Sequence, residues 1–248
     1  IRSMTNDGSN PAQSTYGIYV GCADGQGTGK KPTSILIDGN IITDMNQIGT
    51  GIIFVIYLRV HGLSYGSVKI VNNKVNVDTV TRLVITDNGS TNPGNYHDIH
   101  IANNEFIAKN VTSVAFGINS ILNRITTFDN NFVEIATYSQ NLLYFYASTS
   151  ITGNTHKYIG NILNVVSSLA WQYDPLLIRR TTREKSIGNI LNGVPWRDWD
   201  GTRFITWGTS IPTSNFWSVG SICHITSAAA GGKAQAYCVA AGEPGTWK

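Results

Sequence analysis

A composition of strand and turn residues, an Asn-centred phrase that recurs about every 30 residues, and apolar positions at a fixed offset from that phrase predict an all-β chain. The expected architecture is a right-handed parallel β-helix over residues 1–210 with a small C-terminal β module over 211–248. Only 13% of the 248 residues are Asp, Glu, Lys or Arg, while Gly, Asn, Ser, Thr, Ile and Val abound, which favours strands over helices.

The phrase reads Ile-Asp-Gly-Asn at 37–40, Val-Asn-Asn at 71–73, Ala-Asn-Asn at 102–104, Asp-Asn-Asn at 129–131, and Ile-Gly-Asn at 159–161 and 187–189. Its last residues, Asn40, Asn73, Asn104, Asn131, Asn161 and Asn189, are separated by 33, 31, 27, 30 and 28 positions, lengths that suit single turns of a solenoid. Asn or Gly at the centre supplies the left-handed backbone of a sharp bend between strands, so the phrase marks a corner. Two positions after each anchor stand Ile42, Val75, Phe106, Val133, Leu163 and Leu191, an apolar series that strand alternation places inside, stacked turn upon turn.

A further strand follows each corner: Ile52–Ile56, Leu83–Ile85, Val114–Phe116, Leu142–Tyr146, Leu176–Ile178 and Phe204–Trp207, with Tyr16–Val20 as the same element of an earlier turn. Six turns and a partial one result, and a chain that opens part-way through this pattern is expected to be a fragment of a longer polypeptide. A β-sandwich would place its strands about 8–12 residues apart with hairpin signals, which the spacing does not show.

The pattern stops near Ser210, and Ile211-Pro212-Thr213-Ser214 reads as a boundary. Beyond it come Phe216-Trp217-Ser218-Val219-Gly220, a run of small residues from Ala228 to Gly232, then Ala236-Tyr237-Cys238-Val239, and the closing Ala241-Gly242-Glu243-Pro244-Gly245-Thr246-Trp247-Lys248. This ending resembles the extreme C-terminus of bacteriophage tailspike and tail-fibre proteins, with Ala236-Tyr237 standing where Gly-Trp is common. The resemblance covers about the last 30 residues in detail and the Asn-cornered repeats as architecture. It implies a homotrimer in the virion tail, folded in the host cytoplasm and acting outside the cell, that recognises and depolymerises a capsule or O-antigen polysaccharide. It also leaves open a fibre tip that only binds glycan, and a polysaccharide lyase. The terminal module would help trimerisation, bind sugar or cap the last turn.

Charge and cysteine content narrow the partners. The net charge of +3 is spread along the chain with no basic run, so a nucleic-acid partner is not expected. No apolar run reaches the ~18 residues of a membrane-spanning helix, so no membrane insertion is expected either. Cys22, Cys223 and Cys238 fit neither a disulfide framework nor a CxxC metal site; Cys223 and Cys238 could pair, but reduced thiols are expected. His61, His97, His100, His156 and His224 lack ligand spacing, and the Asp residues lack calcium-site clustering, so neither a metal nor a cofactor is implied. Gly25–Lys31 lacks the spacing of a phosphate loop.

Glycoside hydrolysis needs two carboxyl groups, and the alignment of turns offers a pair. Glu105 lies one position after its anchor and Glu134 three after the next, so both point outward on adjacent turns. A ~4.8 Å rise and a ~6.6 Å offset put their backbones roughly 8 Å apart, inside the ~6.5–9.5 Å range of inverting enzymes. Lys74, in line with Glu105 on the preceding turn, offers the alternative of a surface ion pair. The second constellation is Trp196-Arg197-Asp198-Trp199-Asp200: the indoles could stack on sugar faces and the charged groups could bond hydroxyls, with Asp198 and Asp200 as reserve acids. A plug for the last turn, or a trimer contact, is the competing reading of this segment. His100 is a further substrate-binding candidate.

Overall fold

The computed structural model describes residues 4–6, 14–22, 34–48, 51–60, 66–87, 97–118, 123–138, 143–145, 155–165, 183–195, 198–199, 203–213 and 217–248. These residues form strands and no helix, stacked as a parallel β-solenoid with three faces.

The first face carries Ser34–Asp38, Gly66–Val71, His97–Ala102, Asn123–Asp129, Thr155–Ile159 and Arg183–Ile187, paired parallel in that order. After each corner comes a strand of the second face: Ile41–Thr43, Lys74–Val80, Glu105–Val111, Phe132–Tyr138, Ile162–Val165 and Ile190–Leu191. The third face stacks Ser14–Cys22, Ile52–Val60, Arg82–Asp87, Phe116–Ile118 and Leu143–Phe145. The expected strand Leu176–Ile178 lies outside the described residues, so the three-face turns described are fewer than the six corners.

Alternation decides what is buried. Ile42, Val75, Phe106, Val133, Leu163 and Leu191 are all at most 3% exposed, as their offset from the anchors requires. In mid-solenoid one ring comes from each face: Phe116 packs edge-on against Phe106 and against Phe128, with 5.0 Å between centroids in both pairs. Such pairs add about 0.5–1.5 kcal/mol beyond the area they bury.

The corner divides its work between two residues. Gly39, Asn72, Asn103, Asn130, Gly160 and Gly188 have φ between 52° and 67°, the left-handed region that Gly and Asn tolerate. The anchor that follows turns its side chain inward, and Asn73, Asn104, Asn131, Asn161 and Asn189 are at most 2% exposed. Each anchor's Oδ1 accepts the backbone N–H of the anchor one turn earlier, at 2.9–3.1 Å from Asn40 through Asn189. Each Nδ2 donates to a first-face carbonyl of the previous turn: Ile37, Ile70, Ile101, Phe128 or Tyr158. Burial of these amides is tolerable because both their oxygen and their nitrogen are paired.

The solenoid ends by reversing direction. Asp198–Trp199 runs antiparallel to Arg183–Ile187 and to Phe204–Gly208; Ile222–Ile225, Gln235–Ala240 and Thr246–Trp247 then extend the same sheet. The sequence pattern assigned Phe204–Trp207 to the third face, and the structure places it in the first-face sheet instead. Once Asp198–Trp199 turns back, hairpin pairing rather than the repeat sets where the next strand lies. On the inner side of this extension Trp217 packs edge-on between Phe204, at 5.6 Å, and Trp247, at 5.2 Å. Cys223 and Cys238 are buried and free, because they face Ala236 and Trp247 across the sheet rather than each other. Gly245 sits so close that a Cβ there would come within 2.5 Å of the Cys238 sulfur, which accounts for a glycine in the closing segment.

Candidate functional site

The two carboxylates proposed for hydrolysis lie where the repeat puts them. Glu105 pairs with Phe132 and Ile107 with Glu134, so the acids sit on adjacent strands two positions apart, pointing outward between buried Phe106, Ala108, Val133 and Ile135. Glu134 is exposed; the half-exposed Glu105 meets Lys74 Nζ at 3.2 Å, directly across the ladder.

Trp196, Arg197 and Asp200 lie outside the described residues, and of Trp199 only the backbone pairing with Ser186 and Phe204 is described. Asp198 has a visible task. At the earlier corners the N–H of the left-handed residue donates to the next turn's carbonyl, as Gly39 does to Val71 and Gly160 to Ile187. After the last corner no further turn follows among the described residues, and Asp198 Oδ1 takes the Gly188 N–H at 2.8 Å. Asn192 does the same for the second face, accepting the Val165 N–H at 2.7 Å and donating to the Val165 carbonyl at 2.9 Å. Burial pushes the Asp198 carboxyl above the usual Asp range, and the Gly188 N–H opposes that rise.

His100 belongs to a cluster. Its column on the first face, four positions before each anchor, reads Leu36, Lys69, His100, Thr127, Lys157 and Lys185. The imidazole Nδ1 lies 3.1 Å from Thr127 Oγ1 on the next strand. Two positions on in the same strand, Asp129 Oδ1 accepts the Ile159 N–H at 3.1 Å. Although it points outward, Thr127 is only 8% exposed, so the face is recessed here. Burial raises the Asp129 carboxyl above its ordinary value, while the Ile159 N–H, the Thr127 hydroxyl and the nearby Lys157 and His100 pull the other way. Sequence reasoning missed Asp129 and Lys157; counting back two and four positions from each anchor, as was done forward, would have aligned them with His100.

A second group lies on the outer side of the C-terminal sheet. Trp207, His224 and Gln235 form one cross-strand row, and Ile205, Ile222 and Tyr237 the next. The Trp207 indole is 37% exposed and stacks on His224 at 5.6 Å and 17°, and Tyr237 is 48% exposed. Gln235 is held from both sides, with Nε2 3.0 Å from His224 Nδ1 and Oε1 accepting the Tyr237 hydroxyl at 2.9 Å. Behind this sheet opens a groove of about 340 Å³, bounded by Thr206, Thr209, Ser210, Thr213, Trp217 and Cys223.

Among the described residues no three His, Cys, Asp or Glu side chains are placed to hold a metal ion, and no helix is long and apolar enough to cross a membrane. No family model matches the chain, and no curated protein or solved structure is significantly similar to it.

Proposed function

We propose that the chain is the distal part of a trimeric tailspike that holds a bacterial surface polysaccharide. The observation that carries this reading is the outer group of Trp207, His224 and Gln235 with Tyr237 from the neighbouring row. Exposed aromatic rings offer the apolar C–H faces of sugars a stacking surface, and pre-fixed polar groups bond hydroxyls with little further loss of rotamer freedom. Self-association finds support at the last two corners, where Ile159 and Ile162 lie beside Ile187 and Ile190, all 36–41% exposed. Four adjacent exposed isoleucines form a contiguous apolar patch of the kind that marks interfaces.

Depolymerisation by Glu105 and Glu134 is part of this proposal, on the strength of their outward register. The ion pair between Lys74 and Glu105 favours the second reading, a fibre tip that binds without cutting. The test uses purified capsules and O-antigens: Trp207→Ala and Tyr237→Ala should each weaken binding at least tenfold while the chain stays folded. Unchanged affinity in both variants would remove the C-terminal row from the proposal, and sedimentation of the parent as a monomer would remove the trimer.

A further inference from the structure

We propose that the outer group on the C-terminal sheet is a pH-sensitive switch of hydrogen-bond direction: a proton taken up by His224 turns the Gln235 amide over and converts the Tyr237 hydroxyl from an acceptor of ligand hydrogen bonds into a donor. The ligand half of this inference rests on the polysaccharide reading of that group; the switch itself does not.

The direction of the bonds follows from what each atom can do. Gln235 Oε1 can only accept, so at 2.9 Å the Tyr237 hydroxyl gives it its one proton and shows solvent only lone pairs. Gln235 Nε2 can only donate, so at 3.0 Å His224 Nδ1 is its acceptor, and the neutral ring carries its hydrogen on Nε2. Both bonds therefore run one way, from Tyr237 through Gln235 to His224.

Histidine is the side chain whose charge changes between about pH 5 and 8. The second proton goes to Nδ1, the nitrogen with the lone pair, and two donors then face each other across 3.0 Å. Either the ring withdraws or the amide rotates. The ring is held, because it stacks on the Trp207 indole at 5.6 Å and 17°, and an imidazolium is drawn to an indole face more strongly than a neutral ring is. The amide can turn: Gln235 is exposed, its last torsion is broad and roughly two-fold, and exchange of Oε1 with Nε2 leaves the shape of the side chain unchanged. After the turn Oε1 accepts from Nδ1 and Nε2 donates to the Tyr237 oxygen. The phenolic proton leaves its internal bond and is offered to whatever lies on the sheet.

No fixed charge competes inside the group. The strands that flank Ile222–Ile225 are Phe204–Gly208 and Gln235–Ala240; neither contains a charged residue, and on this side Tyr237 is their only titratable one. Around them stand Arg203 before Phe204, Asp198 across from Ile205 with its carboxylate on the Gly188 N–H, Lys233 before Gln235, and Lys248, whose backbone pairs with that of Tyr237. A ligand oxygen that only accepts, such as an acetamido carbonyl, gains a donor in acid, whereas a ligand hydroxyl suits both states. One hydrogen bond gained corresponds to about 2–10-fold in affinity.

The test titrates the full chain from about pH 8 to pH 5 without ligand. Nitrogen NMR should show His224 with its hydrogen on Nε2 at the upper end. The tyrosine Raman doublet, isolated by difference from Tyr237→Phe, should pass from its donor to its acceptor form with the midpoint of the His224 ring. In Gln235→Leu the ring should still titrate while Tyr237 no longer follows. The switch is overturned if the neutral ring carries its hydrogen on Nδ1, if Tyr237 ignores the His224 titration, or if it follows equally in Gln235→Leu. The ligand half is read with purified capsules and O-antigens that carry acetamido sugars: affinity should rise about 2–10-fold in acid for the parent and stay level for Gln235→Leu. Equal pH dependence in the two chains overturns the ligand half. Binding at neither pH overturns it together with the polysaccharide reading, and the ligand-free titration still decides the switch.

Discussion

Truncating one rung of the asparagine ladder, Asn131→Ala, removes four hydrogen bonds from the middle of the solenoid. Asn131 Oδ1 accepts the Asn104 N–H at 3.1 Å and Asn104 Nδ2 at 2.9 Å, and its Nδ2 donates to the Ile101 carbonyl at 2.9 Å and to Asn161 Oδ1 at 3.1 Å. Two of these partners keep other bonds: Asn104 Nδ2 still has the Ile70 and Ala102 carbonyls, and Asn161 Oδ1 still has the Asn131 N–H. The Asn104 N–H is left buried with nothing to bond. A stranded buried donor costs about 1–3 kcal/mol and each of the three remaining lost bonds ~1 kcal/mol, so a loss of about 4–6 kcal/mol is expected. Asn40→Ala is the control. Among the described residues Asn40 ends the ladder, half-exposed, and donates to the Asp38 carbonyl and Asn73 Oδ1, so its truncation loses two partly exposed bonds, leaves no described buried donor stranded, and should cost about 1–2 kcal/mol. Urea unfolding followed by circular dichroism at one fixed chain concentration measures both, the concentration being held because association shifts apparent stability. An Asn131→Ala cost within 1 kcal/mol of the Asn40→Ala cost would refute the view that the buried amides carry corner stability.

Gly188→Ala, where the added methyl meets nothing within 4 Å, should lose only the left-handed backbone cost of about 1–2 kcal/mol. Gly160→Ala should lose about the same, because the Asn130 Oδ1 that its Cβ would approach within 2.5 Å ends an exposed side chain that can turn away; thermal melts compare the two variants. Asp198→Ala should destabilise the last corner by about 1 kcal/mol through the freed Gly188 N–H, while Asp198→Asn keeps the acceptor. Because burial raises the folded Asp198 carboxyl above its unfolded value of about 3.9, its contribution is intact below that pH and is lost as pH rises through the folded value. Asp198→Asn should therefore match the parent in acid and gain on it above, in a pH series of urea midpoints. Ile162→Lys with Ile190→Lys should change unfolding by no more than ~0.5 kcal/mol per site while reducing the sedimenting mass to that of one chain. Glu105→Gln should cost under about 1 kcal/mol, the ordinary worth of an exposed ion pair; if it also abolishes cutting, the carboxylate has a chemical role beyond Lys74.

Much of the solenoid could be read from its letters because the constraint repeats. Six anchors gave independent sightings of one geometry, so Ile42 and Leu191, far apart in the chain, were both recognisable as interior. The amide ladder itself was not legible, since an Asn at a bend reads equally well as a surface residue; only the turn-to-turn bonds reveal that its side chain faces inward. The placement of Phe204–Gly208 was missed where repetition stops, and pairing with Asp198–Trp199 and Ile222–Ile225 takes over. For the site, outward register was readable for Glu105 and Glu134, and so was the presence of Lys74 beside Glu105. The His100, Thr127 and Asp129 contacts depend on side-chain reach between strands, and the Trp207, His224 and Gln235 row on a register that no repeat announces.

The anchors are separated by 33, 31, 27, 30 and 28 residues, yet every anchor amide meets its neighbour at nearly the same distance. Differences in turn length are therefore absorbed away from the corners, and a segment between strands can lengthen, shorten or change chemistry without altering the ladder. Such a frame lets the surface segments between strands vary while the scaffold stays still. It also makes the natural unit of duplication or grafting a stretch that begins at one anchor and ends just before the next.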